Sequence, residues 1–282
     1  MHNFIKINFV IKTILFLCLS NNVFANTKNI RLSTQQINDF HNNGILVIRN
    51  FFNKKEVTQV LAIADRLQQS AINIAQQETG QLQYHGAQIA LDEVNGKNEL
   101  TWIFAAGAAE PQLLSLSQQP KLLVPVSQLL HSNQTEQLIN LLQYRFPNGG
   151  SGENFFQDIK YRKAANANWH DANGNGSFVL CLIALDKMNK TTGTIYYIPK
   201  SHLRGDLQLE KISTAEELHT AADLNNTVPL TLNPGDLVIW HPYLIHGNNN
   251  QRFTIAKRLF INGFAYPGAN GSGNTDPMKL RH

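Results

Sequence analysis

Cysteine is scarce in this sequence, because only Cys18 and Cys181 occur among its 282 residues. Cys18 falls in an N-terminal segment that we expect to be removed, so the mature chain could form no internal disulfide. Cys181 lies in the apolar run FVLCLIAL, where a free thiol is typical of a small core residue. The fold must therefore be stabilised by its hydrophobic core.

Charged residues are also few, at 16% of the chain, and they form no acidic or basic run. The formal net charge of +4 would fall to +2 if Lys6 and Lys12 were removed with the N-terminal segment. A charge so weak and dispersed does not favour a nucleic-acid partner. With 43% hydrophobic residues, the composition is that of an ordinary globular domain.

An apolar run long enough to span a bilayer is missing from the N-terminus. This segment has a basic flank, a short apolar run at residues 14–19 and the tripeptide Val-Phe-Ala that ends at Ala25. These are the three parts of a secretory signal peptide, and the run is too short for a permanent anchor. We predict a signal peptide over residues 1–25, export to the periplasm or the exterior, and no stable membrane anchor. Residues 26–282 contain no linker-like stretch and are predicted to form one domain.

The first part of the predicted domain carries helix signals. Ser33 with Gln36, and Asn53 with Glu56, have the spacing of capping boxes at the start of two amphipathic helices. Residues 45–48, ILVI, are predicted to form a strand between them. Further on, the apolar stretches at residues 122–130 and 135–142 are predicted to be helices. The stretch TWIFAAGAAEP is compatible with a strand or a helix.

The second half of the chain consists of short β-rich runs that are separated by glycine, asparagine and proline. The predicted strands are LQYRF, FFQDIKY, SFVLCLIALD, GTIYYIP, DLVIW and RLFINGF. Many short strands at near-regular spacing indicate an antiparallel sandwich or barrel. The fold class is therefore mostly β with flanking helices.

Four segments carry a family resemblance: LSTQQINDFHNNGILVIRNFFNKKEV, SFVLCLIALDKMNKTTGTIYYIPKSHLRGDL, NPGDLVIWHPYLIHGNNN and KRLFINGFAYPG. The chain resembles the phytanoyl-CoA dioxygenase family of Fe(II)- and 2-oxoglutarate-dependent oxygenases, with Lys200 where glycine is usual. The resemblance implies a double-stranded β-helix of the jelly-roll, cupin-like type. It also implies Fe(II) and 2-oxoglutarate as cofactors, His246 as a metal ligand, and Arg258 as the residue that binds the 2-oxoglutarate carboxylate. Lys257 is the alternative, because a shift of one residue exchanges the two faces of a strand.

The chemistry of such a site agrees with these assignments. A 2-His-1-carboxylate face holds Fe(II) by three side chains and leaves the other positions open for a co-substrate and O₂. Two residues that are two positions apart on a strand point the same way, and a histidine from a distant strand completes the face. Asp158 and His246 fit the carboxylate and the distal histidine. The planar fork of Arg258 suits a carboxylate.

The sequence departs from the family at the first metal histidine, where Phe156 stands two residues before Asp158. Phenylalanine cannot bind iron, and two registers remain open. In the first, Asp158 is the carboxylate and one histidine is missing. In the second, His170 is a ligand and Ala172 takes the carboxylate position, as in related halogenases. A hybrid site of Asp158, His170 and His246 is a further alternative.

Three functions are compatible with these observations. The first is an Fe(II)- and 2-oxoglutarate-dependent dioxygenase that uses O₂ to hydroxylate a small or lipid-like organic substrate. The second is a degenerate family member that acts as a non-catalytic binding module, which the replacement by Phe156 motivates. The third is a metal-dependent barrel with other chemistry, such as halogenation.

Overall fold

The structure is a computed structural model, and it describes residues 31–75, 82–94, 97–147, 155–161, 177–248, 253–267 and 269. The predicted signal peptide and His170 lie outside these residues. Within them, no helix combines the length and the apolar character that a membrane crossing requires.

Two antiparallel sheets form the centre of the fold. Their strands are β1 (Ile45–Ile48), β2 (Leu82–Tyr84), β3 (Ala87–Val94), β4 (Lys97–Phe104), β5 (Glu136–Arg145), β6 (Phe178–Ala184), β7 (Tyr196–Tyr197), β8 (Val228–Pro229), β9 (Leu237–Trp240), β10 (His246–Gly247) and β11 (Lys257–Ala265). The large sheet has the order β1-β9-β6-β11-β5-β4-β3-β2, and the small sheet has the order β10-β7-β8. This arrangement confirms the predicted jelly-roll class.

Helices cover the outer face of the large sheet. They are α1 (Thr34–Asn43), α2 (Lys54–Ala75), α3 (Ala106–Ala109), α4 (Pro111–Ser117) and α5 (Pro120–Leu130). A later helix, α6 (Ala215–Ala222), packs instead in a smaller hydrophobic cluster beside the small sheet. Both predicted capping boxes are present: Ser33 and Gln36 cap α1 reciprocally, and Asn53 and Glu56 do the same for α2.

The large sheet is buried on both faces, which explains why its central strands are apolar throughout. One hydrophobic cluster fills the space between the sheet and the helices, and a second lies on the opposite, inner face. Strand β11 shows the alternation, because Leu259 and Ile261 belong to the inner cluster and Phe260 belongs to the helix-side cluster. Cys181 on β6 is fully buried, as predicted, and burial raises the pKa of its thiol.

Several local predictions are wrong. Residues 135–142 were predicted to be a helix, but residues 136–142 form the first part of β5. The prediction failed because a strand that is buried on both faces has a continuous apolar pattern. In the predicted strand FFQDIKY, Phe156 forms a single bridge and residues 159–161 form a helical turn. The stretch TWIFAAGAAEP, for which strand and helix were both left open, contains the end of β4 and the short helix α3.

Candidate metal centre

The main chain brings Phe156 and Asp158 to the short strand β10. The backbone N–H of Phe156 donates to the His246 carbonyl at 3.0 Å, and the N–H of His246 donates back to the Phe156 carbonyl at 3.1 Å. This reciprocal pair fixes the register between residue 156 and His246. Asp158, two residues further along, reaches the same side of β10 as the His246 imidazole.

The carboxylate of Asp158 and the imidazole of His246 converge on each other. Asp158 Oδ2 lies 3.5 Å from His246 Nε2, and both side chains are almost fully buried. The indole N–H of Trp240 donates to Asp158 Oδ2 at 2.6 Å. The other ring nitrogen of His246, Nδ1, lies 2.9 Å from the Leu244 carbonyl oxygen. That contact favours a proton on Nδ1 and leaves the Nε2 lone pair directed at the carboxylate.

The donor atoms of Asp158 and His246 are arranged as in a metal site. Two electron-pair donors that face each other at 3.5 Å require a proton or a cation between them. Histidines that bind metals usually donate their second ring N–H to a carbonyl or carboxylate, as His246 does to Leu244. The pair therefore fits two of the three ligands of a mononuclear iron centre.

The third ligand is missing from the described part of the chain. The ring of Phe156 lies against His246, with centroids 4.5 Å apart, where the family motif has a histidine. No group of three His, Cys, Asp or Glu side chains that could hold a metal ion occurs among the residues that the structure describes. His170 lies outside those residues, so its role as a ligand stays a prediction.

A cavity of about 350 Å³ lies beside the Asp158–His246 pair. Its walls are largely apolar and come mainly from the inner face of the large sheet, and they include Phe104, Ile139, Leu141, Phe178, Leu180 and Ile261. The volume is in the range of small-molecule sites, ~300–1,000 Å³. The candidate metal centre thus faces a chamber that suits a small and mostly apolar molecule.

Arg258 lies on the opposite face of β11 from this cavity. Its Nε donates to Asp186 Oδ2 at 3.0 Å, its Nη2 to Asp186 Oδ1 at 3.2 Å and its Nη1 to Asp65 Oδ1 on α2 at 2.5 Å. Burial acts to lower the pKa of Arg258, but the contacts with both carboxylates raise it above its ordinary value. The geometry does not support the predicted binding of a keto acid by Arg258, because the strand alternation directs its side chain to the helices.

Lys257, the alternative, does point to the inner side of the sheet, as Leu259 and Ile261 do. Its side chain is buried, and Nζ donates to the Lys187 carbonyl at 2.5 Å. Burial lowers the pKa of Lys257, and the charge of Asp186 partly offsets this effect. Lys257 does not line the described cavity wall.

Two further histidines, His241 and His202, do not line the cavity. His241 accepts a hydrogen bond from the Tyr243 backbone N–H at 3.0 Å, and its ring lies 5.1 Å from that of His202. His202 Nε2 contacts the His41 carbonyl oxygen at 2.9 Å. These contacts join the loop after β7 to helix α1, which is a structural role.

Sequence reasoning missed the cavity's remaining polar groups and its aromatic rim. Trp240, Gln143, Arg145 and Trp102 all line the cavity. The sequence pattern that could have indicated them was weak, because it consists only of polar or aromatic residues near the ends of apolar strands. The period of two along β5 could have placed Gln143 and Arg145 on one face with Leu141.

Comparison with known proteins agrees with this architecture. A family profile described as Phytanoyl-CoA dioxygenase (PhyH) matches residues 40–252. An ectoine dioxygenase from Bordetella bronchiseptica is 25% identical over 173 residues, which are 61% of this chain and 50% of that protein. The chain therefore spans about half the length of this curated relative.

Solved structures of EctD from S. alaskensis have a similar fold. The structure with bound Fe has a TM-score of 0.66 at 18% identity and covers 91% of this chain and 84% of its own. The structure with 2-oxoglutarate and 5-hydroxyectoine has a TM-score of 0.66 at 19% identity and covers 89% and 82%. At these identities the likeness shows the fold. With the family profile matched over most of the barrel, the chain belongs to the phytanoyl-CoA dioxygenase (PhyH) family of Fe(II)- and 2-oxoglutarate-dependent oxygenases.

Proposed function

We propose that this protein is an Fe(II)- and 2-oxoglutarate-dependent oxygenase that hydroxylates a small, largely apolar organic substrate. One observation carries the proposal: a buried carboxylate and a buried imidazole converge to 3.5 Å at the wall of an apolar cavity. Membership of the family and the iron-bound structures of its fold neighbours support it.

Asp158 and His246 would hold the metal, and His170 is our candidate for the third ligand. Bound iron would supply the activation of O₂ that hydroxylation of a C–H bond requires. The chain's own contribution is position and exclusion of water. The indole of Trp240 holds the Asp158 carboxylate, and the Leu244 carbonyl fixes the tautomer of His246. The apolar walls of the cavity would keep a bound substrate out of bulk solvent.

A second candidate function, a non-catalytic binding module, is favoured by the position of Phe156. Its ring occupies the place of the first metal histidine and packs on His246. Two protein ligands hold a divalent metal less tightly than three, so this reading predicts ligand binding without turnover.

One set of variants separates the two candidates. Anaerobic Fe(II) titration and 2-oxoglutarate-dependent formation of succinate would be measured for the wild type, Asp158→Ala, His246→Ala and Phe156→His. His219→Ala, on the exposed face of α6, is the matched control. The oxygenase proposal expects a full equivalent of iron and succinate formation in the wild type, both lost in Asp158→Ala and His246→Ala. No iron in the wild type, with binding gained in Phe156→His, would establish the binding module instead.

The third ligand has its own test. If His170 binds the metal, His170→Ala should abolish iron binding as completely as His246→Ala does. A protein that keeps its iron in both His170→Ala and Asp158→Ala would contradict the proposed ligand set.

We also propose that the protein is exported, on the strength of the N-terminal pattern alone. N-terminal sequencing of exported material should begin at Asn26. A full-length cytoplasmic product would overturn this proposal. An exported oxygenase would need a supply of 2-oxoglutarate outside the cytosol, because 2-oxoglutarate is a cytosolic metabolite.

A further inference from the structure

The end of strand β5 contributes a basic group to a cavity that is otherwise mostly apolar. Arg145 is the last residue of β5, and its guanidinium carbon lies 5.6 Å from the centre of the Trp102 ring. The ring of Phe253 lies 6.0 Å away from the same atom. A guanidinium between aromatic rings is partly shielded from water, which strengthens its interaction with an anion.

A buried amide orients this guanidinium. Gln143, two residues before Arg145 on the same face of β5, is 2% exposed. With its amide oxygen turned to the arginine, that oxygen accepts from Arg145 Nε at 3.0 Å and from Nη2 at 2.6 Å. The side chain of Arg145 is thus pre-organised, and less rotamer entropy would be lost when it binds a ligand.

Charge in the cavity is concentrated at two places. Among the lining residues that the structure describes, Arg145 is the one permanent cation and Asp158 is the one carboxylate. They lie on different sheets, because Arg145 is on the large sheet and Asp158 is bridged to the small sheet through residue 156. Lys257 is directly opposite Arg145 in the β11–β5 pair, on the same inner face, and adds positive potential there.

We infer that Arg145 anchors the carboxylate of a small organic acid inside the cavity. A planar guanidinium that is held by an amide and flanked by aromatic rings is the group best suited to bind a carboxylate. The inference rests on the proposed function in that it names the class of molecule that the oxygenase cavity takes. Two ligands could supply this carboxylate: the keto acid, through its distal carboxylate, or an apolar substrate that carries an acid group.

Binding of matched pairs of ligands tests the inference without turnover. The first pair is 2-oxoglutarate and 2-oxopentanoate, which lacks the distal carboxylate, and the second pair is octanoate and 1-octanol. Titrations would follow heat release and the fluorescence of the tryptophans that line the cavity, in metal-free and in Mn(II)-supplemented protein. The variants are Arg145→Gln, Arg145→Lys and the control Arg66→Gln, which removes an exposed arginine on α2.

The expected result is a loss that depends on charge. In at least one pair the acid should bind the wild type more tightly than its partner, and Arg145→Gln should weaken the acid by about 10- to 100-fold. The partner without that carboxylate should bind Arg145→Gln and the wild type equally, and Arg66→Gln should change neither affinity. A selective loss for 2-oxoglutarate identifies the keto acid as the source, and one for octanoate identifies the substrate.

Other outcomes overturn the inference. These are equal binding of acid and partner by the wild type, an equal loss of both in Arg145→Gln, or no binding of either acid. If Arg145→Gln does not fold, as judged by thermal unfolding, Arg145→Lys keeps the charge and loses the fork, and it should show a smaller acid-selective loss. Absence of succinate formation would count against the proposed function and leave the binding result intact.

Discussion

Replacement of Arg258 by glutamine should destabilise the fold and leave keto-acid binding unchanged. The Arg258 side chain is 26% exposed, and it donates two hydrogen bonds to the Asp186 carboxylate, which is 25% exposed. A partly buried charge-assisted pair of this kind contributes about 1.5–3 kcal/mol to the free energy of unfolding. We use the lower half of that range because water reaches both groups. The contact with Asp65, whose side chain is 62% exposed, adds at most about 1 kcal/mol. The expected loss is therefore roughly 2–3 kcal/mol.

Thermal and urea unfolding of the two proteins would measure this loss. For a chain of this size, the melting temperature should fall by roughly 4–12 °C. Asp186→Asn should have a similar effect, and the two changes should not add, because they remove the same interaction. Asp65→Asn is the matched control and should cost less than about 1 kcal/mol.

The opposite pattern would refute the reasoning. If Arg258→Gln lost 2-oxoglutarate binding and kept its melting temperature, the arginine would enter the cavity in solution. The strand would then be one residue out of the register that the structure shows.

Of three further predictions, the first concerns the candidate site and the other two concern the stability of the fold. Trp240→Phe removes the indole donor to Asp158 and should lower metal affinity by about 10- to 100-fold in an Fe(II) titration, without change in the far-UV spectrum. Lys121→Ala leaves the buried Glu56 carboxylate without its cation and should cost about 3–5 kcal/mol in urea unfolding, much of it restored by adding Glu56→Gln. Burial lowers the pKa of His202, so its contribution to stability is fully present above the ordinary value of 6.5 and is lost as the pH falls below it. His202→Gln should therefore flatten the acid limb of a plot of melting temperature against pH.

The parts of the fold that sequence predicted well are those where local chemistry decides the structure. Capping boxes at Ser33 and Asn53 start helices wherever they precede an amphipathic stretch, and both do so here. Strands β6, β9 and β11 lie between turn-forming residues, which bounded them in the sequence.

The predicted strand LQYRF covers the end of β5, but the first half of β5 could not be recognised because tertiary packing determines its pattern. Helices α3 and α4 pack on one of its faces and the inner cluster lies on the other, so apolar residues run without alternation. Within residues 138–142, Asn140 is the one polar residue. Its side-chain oxygen accepts a hydrogen bond from the Gly107 backbone N–H at 2.7 Å, a contact that the local sequence does not predict. A period of 3.6 and a doubly buried strand cannot be told apart over so short a stretch.

The candidate site shows the same division. The pairing of Asp158 with His246 was predicted from family motifs, and the structure brings the two together, whereas the orientation of Arg258 depends on strand register. Lys257 and Arg258 are adjacent on β11 and therefore point to opposite faces of the sheet, but the sequence alone does not say which of them faces inward. That choice is made by the pairing with β5 and β6, which sets Ile261 on the cavity wall.

Loss of the first metal histidine leaves the rest of the site in place for a reason that lies in the main chain. Residue 156 is held by two backbone hydrogen bonds to His246, which do not depend on its side chain. The carboxylate of Asp158 is fixed by Trp240, and the imidazole of His246 is fixed by the Leu244 carbonyl, so neither needs a metal for its position. The ring of Phe156 therefore takes one ligand away from the proposed metal site without moving Asp158 or His246, the two side chains proposed to remain. Metal affinity and the carboxylate binding proposed at Arg145 should therefore be separable in the metal-free protein, where Phe156→His should leave acid binding unaltered while it raises metal affinity in a separate titration.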